Sequence, residues 1–279
     1  LGFRARESEH RWERDLDLAA LAWLGDHRVG EQVLVPAAGF AEMALAAAAE
    51  TFGPPDAGHR LAVNRLDILR PLRLEPGKIG RSRVELAPLD GRLTVAAAGA
   101  DARSFALHAA ARVERTEAGA AARRPRLAGD DAVGDLDPER LYARAERLGL
   151  HYGPGFRRLA RLRSGADVVT GELVGGDDGG FQLPPAVGDA ALQALLALLP
   201  PAEDTAFLPV GCARLERLAA EPAVAFTARI VRRHRRSFAA DIEWYGADGT
   251  VVARAMSFRF RAAPHLRAAA PERLALVLR

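Results

Sequence analysis

The sequence predicts an α+β fold made twice from one plan, a buried helix followed by four antiparallel strands. Three observations predict it. Two alanine- and leucine-rich stretches, residues 37–50 and 190–199, are apolar nearly all round, as enclosed helices are. Each is followed by four short runs of strand-forming residues set apart by turn residues. Between the two sets, from Glu114 to Asp135, Ala, Gly, Arg, Asp and Pro occur with no apolar period, and this reads as a linker.

The elements follow in order. Residues 10–18 alternate in part, as an edge strand does. Pro36 fixes its own φ and needs no N–H partner, so it suits the first turn of a helix that the following Ala, Leu and Met residues propagate to about Glu50. Gly53-Pro54-Pro55 stops it. Strands are expected at 61–69, 79–86, 93–98 and 104–113, separated by Glu75-Pro76-Gly77, Leu89-Asp90-Gly91 and Gly99-Ala100-Asp101, the turn chemistry of an antiparallel meander. Asp137-Pro138 is a capped helix start and that helix should end near Gly149. A turn at 150–156 and a strand at 167–174 lead to the acidic glycine-rich loop 175–180, which would repel phosphate. Pro184 and Pro185 then precede the second Ala/Leu helix, ended by Pro200-Pro201. Its four strands are expected at 207–215, 224–232, 237–245 and 251–260, the last pair joined by a Gly246-Ala247-Asp248-Gly249 hairpin.

A curled antiparallel sheet that must cover one apolar helix has the layer logic of a hot dog fold, and the repeat makes it a double hot dog. The boundaries expected are an N-terminal half at 1–114, a linker at 115–136 and a C-terminal half at 137–279.

Composition narrows the function. The chain has 279 residues, 49% of them hydrophobic, with a formal charge of +3, a globular composition with ample core. No apolar run is long enough to span a bilayer and the first residues lack an apolar signal core, so no membrane association is expected. The missing initiator Met suggests a piece excised from a longer chain. Lys78 is the only lysine. The arginine clusters at 123–126 and 232–236 lack any nucleic-acid-binding motif or stacking aromatics, so nucleic acid is not expected; the second reads as a solvated hairpin tip. A single cysteine, Cys212, rules out an intrachain disulfide framework and suits a reducing cytoplasm.

The chemistry rests on a few residues. His27 lies upstream of the first central helix, where an imidazole beside unpaired helix N–H groups can move a proton while those groups hold an oxyanion. Asp189 occupies a comparable place at the second helix, where an N-cap is the simpler reading. Gln193 follows it by one turn and shares its face. GxSxG, HExxH, CxxC and Walker patterns are missing, and neither a metal nor a nucleotide cofactor is expected.

Four motifs carry a family resemblance. Trp23-Leu24-Gly25-Asp26-His27 followed by Pro36 resembles HxxxGxxxxP; Gly149-Leu150-His151-Tyr152-Gly153-Pro154-Gly155-Phe156 resembles GYxYGPxF; Asp189-Ala190-Ala191-Leu192-Gln193 resembles DxxxQ/H; Leu208-Pro209-Val210 resembles the start of an LPFxW segment. Together they resemble the dehydratase domain of a bacterial modular type I polyketide synthase. Three departures stand out: Gly30 falls one position early and Glu31 takes the glycine place, Leu150 replaces a tyrosine, and Pro184 stands where a histidine is usual.

The resemblance implies a double hot dog in which His27 and Asp189 face each other across a tunnel. It implies dehydration of a 3-hydroxyacyl thioester, delivered on the phosphopantetheine arm of an acyl carrier protein, to the trans-2-enoyl product in polyketide chain extension. His27 would be the base and Asp189 the acid, with Gln193 orienting Asp189. Backbone N–H groups at Ala38 and Gly39 would hold the thioester oxygen, and Tyr152, Gly153 and Pro154 would shape the pocket wall. No cofactor bound to the domain is implied. Neighbouring synthase domains and a second copy, paired through the N-terminal strand, are the partners implied. Cyclisation, enoyl isomerisation and a catalytically silent interaction domain are the competing readings, raised by Glu31, Leu150 and Pro184.

Overall fold

A computed structural model describes residues 9–99, 104–118, 134–175, 179–200 and 204–263. The expected arginine cluster at 123–126, most of the linker and the centre of the glycine-rich loop lie outside the described residues.

In chain order the first half contains β1 (His10–Leu16), a 3-10 turn (Ala22–Asp26), β2 (His27–Val29), β3 (Gln32–Leu34), α1 (Ala37–Phe52), β4 (His59–Ile68), β5 (Arg73–Leu74), β6 (Gly80–Ala87), β7 (Arg92–Ala98) and β8 (Ala106–Glu117). The second contains β9 (Gly134–Leu136), α2 (Pro138–Arg147), β10 (Leu150–Tyr152), β11 (Leu159–Ser164), β12 (Val168–Leu173), α3 (Pro185–Ala194), a 3-10 turn (Leu195–Leu198), β13 (Ala206–Arg217), β14 (Ala225–His234), β15 (Ser237–Tyr245) and β16 (Val251–Ala263). β8 runs three residues into the expected linker, and β9 takes its last three.

Twelve strands form one antiparallel sheet in the order β1-β6-β7-β8-β4-β13-β16-β15-β14-β12-β11-β9. The two wraps are thus continuous, joined where β4 pairs β13 with Leu61 opposite Arg217 and Asp67 opposite Gly211. Each curls over one helix. Ten of the sixteen residues of α1 are buried, and all ten of α3. Such helices cannot rely on an amphipathic stripe; being enclosed by sheet on several sides, they are apolar all round, as the sequence shows. Alternation does the same work in the sheet: in β7, Leu93, Val95 and Ala97 point inward and Arg92, Thr94 and Ala96 are more exposed.

Three local features follow from residue chemistry. Asp137 caps α2 by accepting the Glu139 N–H at 3.0 Å. The expected hairpin tip at 232–236 joins β14 to β15 and is exposed throughout. β1 is an edge strand, paired among the described residues with β6 alone, His10 opposite Leu86. No described helix is long and apolar enough to cross a membrane.

A second, smaller sheet of four strands, β10-β2-β3-β5, positions the chemistry. It joins a strand of the second half to a hairpin of the first and carries His27.

Candidate active site

His27 begins β2. The β2–β3 hairpin turns on two residues, Gly30 and Glu31, and Gly30 has φ +57°, a left-handed conformation that glycine adopts without a Cβ clash. The turn folds the hairpin so that Leu34 lies near His27, and His27 Nδ1 is 2.9 Å from the Leu34 carbonyl oxygen. A carbonyl can only accept, so Nδ1 carries the hydrogen and the lone pair of the neutral ring sits on Nε2. The imidazole is buried, with Phe156 at 5.2 Å and Tyr152 at 5.8 Å between ring centroids.

Asp189 is in the second turn of α3, and here the cap reading needs correction. The helix starts at Pro185, its N-cap is Pro184, and no side chain caps it. Pro184 and Pro185 begin the helix earlier than its alanines indicate, because proline at a first turn loses no hydrogen bond. Asp189 is therefore inside the helix and 3% exposed. One turn on, Gln193 Nε2 donates to Asp189 Oδ2 at 2.8 Å and is also 3.2 Å from the Phe156 carbonyl. Both partners are acceptors, which fixes the amide orientation and leaves Gln193 Oε1 buried without a partner among the described residues. Burial raises the Asp189 pKa, against the opposing pull of His27 and of the Gln193 hydrogen bond.

The two groups meet across a cavity of about 100 Å³. His27 Nε2 lies 3.9 Å from Asp189 Oδ2, too far for a hydrogen bond and close enough for both to reach one small group. Tyr152 and Gln193 share the lining, which is otherwise mostly apolar and includes Phe40, Leu150, Leu196, Phe207 and Phe238. Burial raises the Tyr152 hydroxyl well above its ordinary pKa, so it stays neutral. Leu208 and Pro209 line the cavity too; Pro184 does not.

Four of the expected residues are placed otherwise. Ala38 and Gly39 do not line the cavity. The Gly39 N–H donates to the Pro36 carbonyl at 2.9 Å, and the Ala38 side chain faces Gly188 of α3. A helix turn rotates successive residues by about 100°, so it is Ala37 and Phe40 of this turn that face the cavity. Pro154 is exposed and shapes a turn rather than the wall. Gly153 acts through Asp26: its N–H donates to the Asp26 carbonyl at 2.7 Å, and a Cβ there would run into the Asp26 carboxylate.

Two residues not singled out in the sequence complete the frame. Asp26 Oδ2 accepts the Gly155 N–H at 2.7 Å, tying the turn after β10 to the residue before His27. Phe156 presents its ring to His27 and its carbonyl to Gln193. Both stand inside the quoted motifs, so the signal was there, but their partners are distant in sequence. Among the described residues no group of three or more His, Cys, Asp or Glu could hold a metal ion.

Known proteins match the chain over both halves. A family model described as "Polyketide synthase dehydratase domain" matches residues 3–116. One described as "Polyketide synthase dehydratase N-terminal domain" matches residues 119–270. A subunit of the phenolphthiocerol/phthiocerol polyketide synthase of Mycobacterium tuberculosis is 32% identical over 232 residues, which is 74% of this chain and 12% of that protein. The chain thus spans about one eighth of this curated relative. The structure of GphF Dehydratase 1 superposes with a TM-score of 0.79 at 26% identity, covering 91% of this chain and 94% of that one. The dehydratase domain from the CurK module of curacin polyketide synthase gives a TM-score of 0.80 at 23% identity over 94% and 96% of the two chains, a likeness of fold.

Proposed function

The chain belongs to the polyketide synthase dehydratase family, whose members are hydro-lyases, and on that premise we propose that His27 and Asp189 eliminate water from a 3-hydroxyacyl thioester. The observation that carries the assignment is the opposed pair itself: a base atom, His27 Nε2, 3.9 Å from a buried carboxyl, Asp189 Oδ2, in one apolar cavity.

The chemistry divides between them. His27 Nε2 takes the proton from the carbon between the thioester carbonyl and the hydroxyl-bearing carbon. The electron pair left behind forms the new double bond as the C–O bond breaks. Asp189 gives its proton to the departing hydroxyl, which leaves as water. A hydroxide is a poor leaving group, so the acid must be protonated, and burial favours that form by raising the Asp189 pKa. Gln193 holds Asp189 by its Nε2, while its unpartnered Oε1 is an acceptor for the hydrogen of the substrate hydroxyl. The apolar wall keeps bulk water from the acidified α-carbon and strengthens each electrostatic contact.

Dehydratase domains of this family generally work without a bound cofactor, and the relatives are large multidomain polyketide synthases. The finer reading is that the acyl group arrives on the phosphopantetheine of an acyl carrier protein, that the product is the trans-2-enoyl thioester, and that the domain works as a cytoplasmic homodimer beside other synthase domains. Light scattering tests the dimer.

Mass spectrometry of the purified domain incubated with 3-hydroxyacyl carrier protein tests the reaction. Loss of one water giving an enoyl chain supports dehydration. An enoyl chain with a moved double bond, a cyclic product, or no change would replace it with isomerisation, cyclisation or a silent domain in turn.

A further inference from the structure

The proposed dehydration makes no use of one buried ionisable side chain. Within the otherwise apolar middle of α1 stands Glu42, 5% exposed. A carboxylate in that position is costly unless its oxygens are hydrogen-bonded. They are: Oε1 accepts the Gln182 N–H at 2.8 Å and Oε2 the Leu183 N–H at 2.7 Å. These are consecutive backbone donors of the second half, directly ahead of α3. Arg217 is near enough for its charge to act on Glu42, but its two terminal nitrogens donate to the carbonyls of Val252 and Glu221.

A second grip lies one turn back along the same face of α1. Ala38 meets Gly188, where an added Cβ would stand 3.2 Å from the Ala38 Cβ. Gly188 is the neighbour of Asp189. On its other side α1 continues directly from the hairpin that holds His27, through Leu34, Val35 and Pro36. The frame carrying the base thus grasps the frame carrying the acid at two places, and the polar one is Glu42.

We propose that Glu42 is a positioning residue for the dehydration: its carboxyl group clamps the 182–183 backbone and so sets α3, and Asp189 on it, at working distance from His27. The proposal rests on the assignment of Asp189 as the acid. Two adjacent N–H donors require two acceptors. Glutamine supplies one acceptor and sets its own NH₂ against the second donor.

Glu42→Gln is the test, run on the whole domain with carrier-bound 3-hydroxyacyl substrate. The expected result is a fall in kcat of about tenfold or more, as displacement of a catalytic group gives, with KM held within about twofold. Faster hydrogen exchange at the 182–183 amides should accompany it. In an Asp189→Asn background the same change should cost nothing further, because there is no acid left to position. Unchanged kcat in Glu42→Gln overturns the proposal, and so does an equal proportional loss in both backgrounds. If Asp189→Asn alone runs at the parent rate, the acid assignment fails and takes the proposal with it; if Asp189→Asn is crippled and Glu42→Gln is not, only the proposal fails. Should Glu42→Gln not fold, Gly188→Ala presses α3 away from Ala38 and must show the same kcat-selective loss; normal kcat there overturns the proposal.

Discussion

The two halves repeat a helix-in-sheet plan, yet they hold the two proposed proton carriers by different means. In the first half the carrier lies ten residues ahead of the central helix, on a strand, and its orientation comes from a backbone carbonyl, Leu34 O to His27 Nδ1. In the second it lies inside the helix and is oriented by a side chain four residues on, Gln193 Nε2 to Asp189 Oδ2. The difference is one of ligand chemistry. An imidazole that must keep Nε2 free as a base needs a fixed acceptor at Nδ1, and a carbonyl in a tight hairpin is such an acceptor. A carboxyl proposed to act as an acid needs dry surroundings, which an apolar helix provides, and Gln193 orients it while pulling its pKa the other way.

Removing either carrier is the largest break available. His27→Ala should lower kcat by about 10²- to 10⁴-fold, the range for losing a general base or acid, and Asp189→Asn, which keeps shape but cannot deliver a proton, should do the same. Because Asp189 caps nothing, its Asn variant should keep its thermal midpoint. Rehydration of the enoyl thioester should fail in parallel, since the same groups act in reverse. An Asp189→Asn domain that turns over at near the parent rate would leave only His27 of the pair.

The clamp between the halves carries a pH signature. Burial raises the Glu42 carboxyl from 4.5 to about 7, against the opposing pull of the Leu183 and Gln182 N–H groups and of Arg217. A raised acid keeps its proton to a higher pH in the folded state than in the unfolded chain. Its contribution to stability is therefore full below about pH 4.5 and is lost as pH climbs through about 7. The shift corresponds to about 3 kcal/mol at most. Denaturant unfolding of parent and Glu42→Gln at several pH values checks this: the stability of the parent relative to the variant should decline with rising pH across that window and level off above it. A difference independent of pH would mean that the carboxyl ionises as it does in the unfolded chain.

The first-half carrier depends on a contact from the second half, and Gly153→Ala tests it. The added Cβ would collide with the Asp26 carboxylate, forcing apart the turn after β10 and the residue before His27. Overpacking of this kind costs about 1–3 kcal/mol. Activity should fall with stability, since Tyr152 and His27 face each other in the β10–β2 register. An alanine variant with parental melting temperature and rate would show that the turn yields freely.

Much of this was legible in the sequence because it is local. Helix 37–52, the strands on either side of Gly246-Ala247-Asp248-Gly249 and the Asp137 cap follow from periodicity, turn residues and a capping side chain. That His27, Asp189 and Gln193 share one cavity was anticipated by motif spacing and the family resemblance. What was not legible is long-range. The joining of the wraps through β4 and β13, the Asp26 bonds to residues 153 and 155, and the Glu42 clamp on residues 182 and 183 all connect segments more than a hundred residues apart. A lone Glu in an Ala, Leu and Met helix is a signal that something must satisfy it, but it does not say what. That Ala38 and Gly39 stand away from the cavity was not legible for a different reason: nearness to the helix start was known, but the direction each residue faces depends on how α1 is rotated against α3.

The smallest effect concerns the hairpin that holds His27 and the glycine that falls one position early. The β2–β3 turn has two central residues, Gly30 and Glu31, between Val29 and Gln32. Only the first is left-handed, at φ +57°, and the Gly30 N–H also donates to the Gly149 carbonyl at 2.8 Å. A turn of this form needs its glycine first, whereas a glycine at position 31 would serve a turn whose second residue is left-handed. The displaced glycine is thus a change of turn type and not a loss of the turn. Gly30→Ala should destabilise by about 1–2 kcal/mol, the cost of a left-handed alanine. Glu31 is exposed and has an ordinary φ, so Glu31→Gly should change stability by no more than about 0.5 kcal/mol and leave kcat as it was. Thermal melts and steady-state rates of the two variants decide it. A costly Glu31→Gly together with a harmless Gly30→Ala would mean that the hairpin takes the other turn in solution, and the path from Gly30 to the Leu34 carbonyl that orients His27 would have to be redrawn.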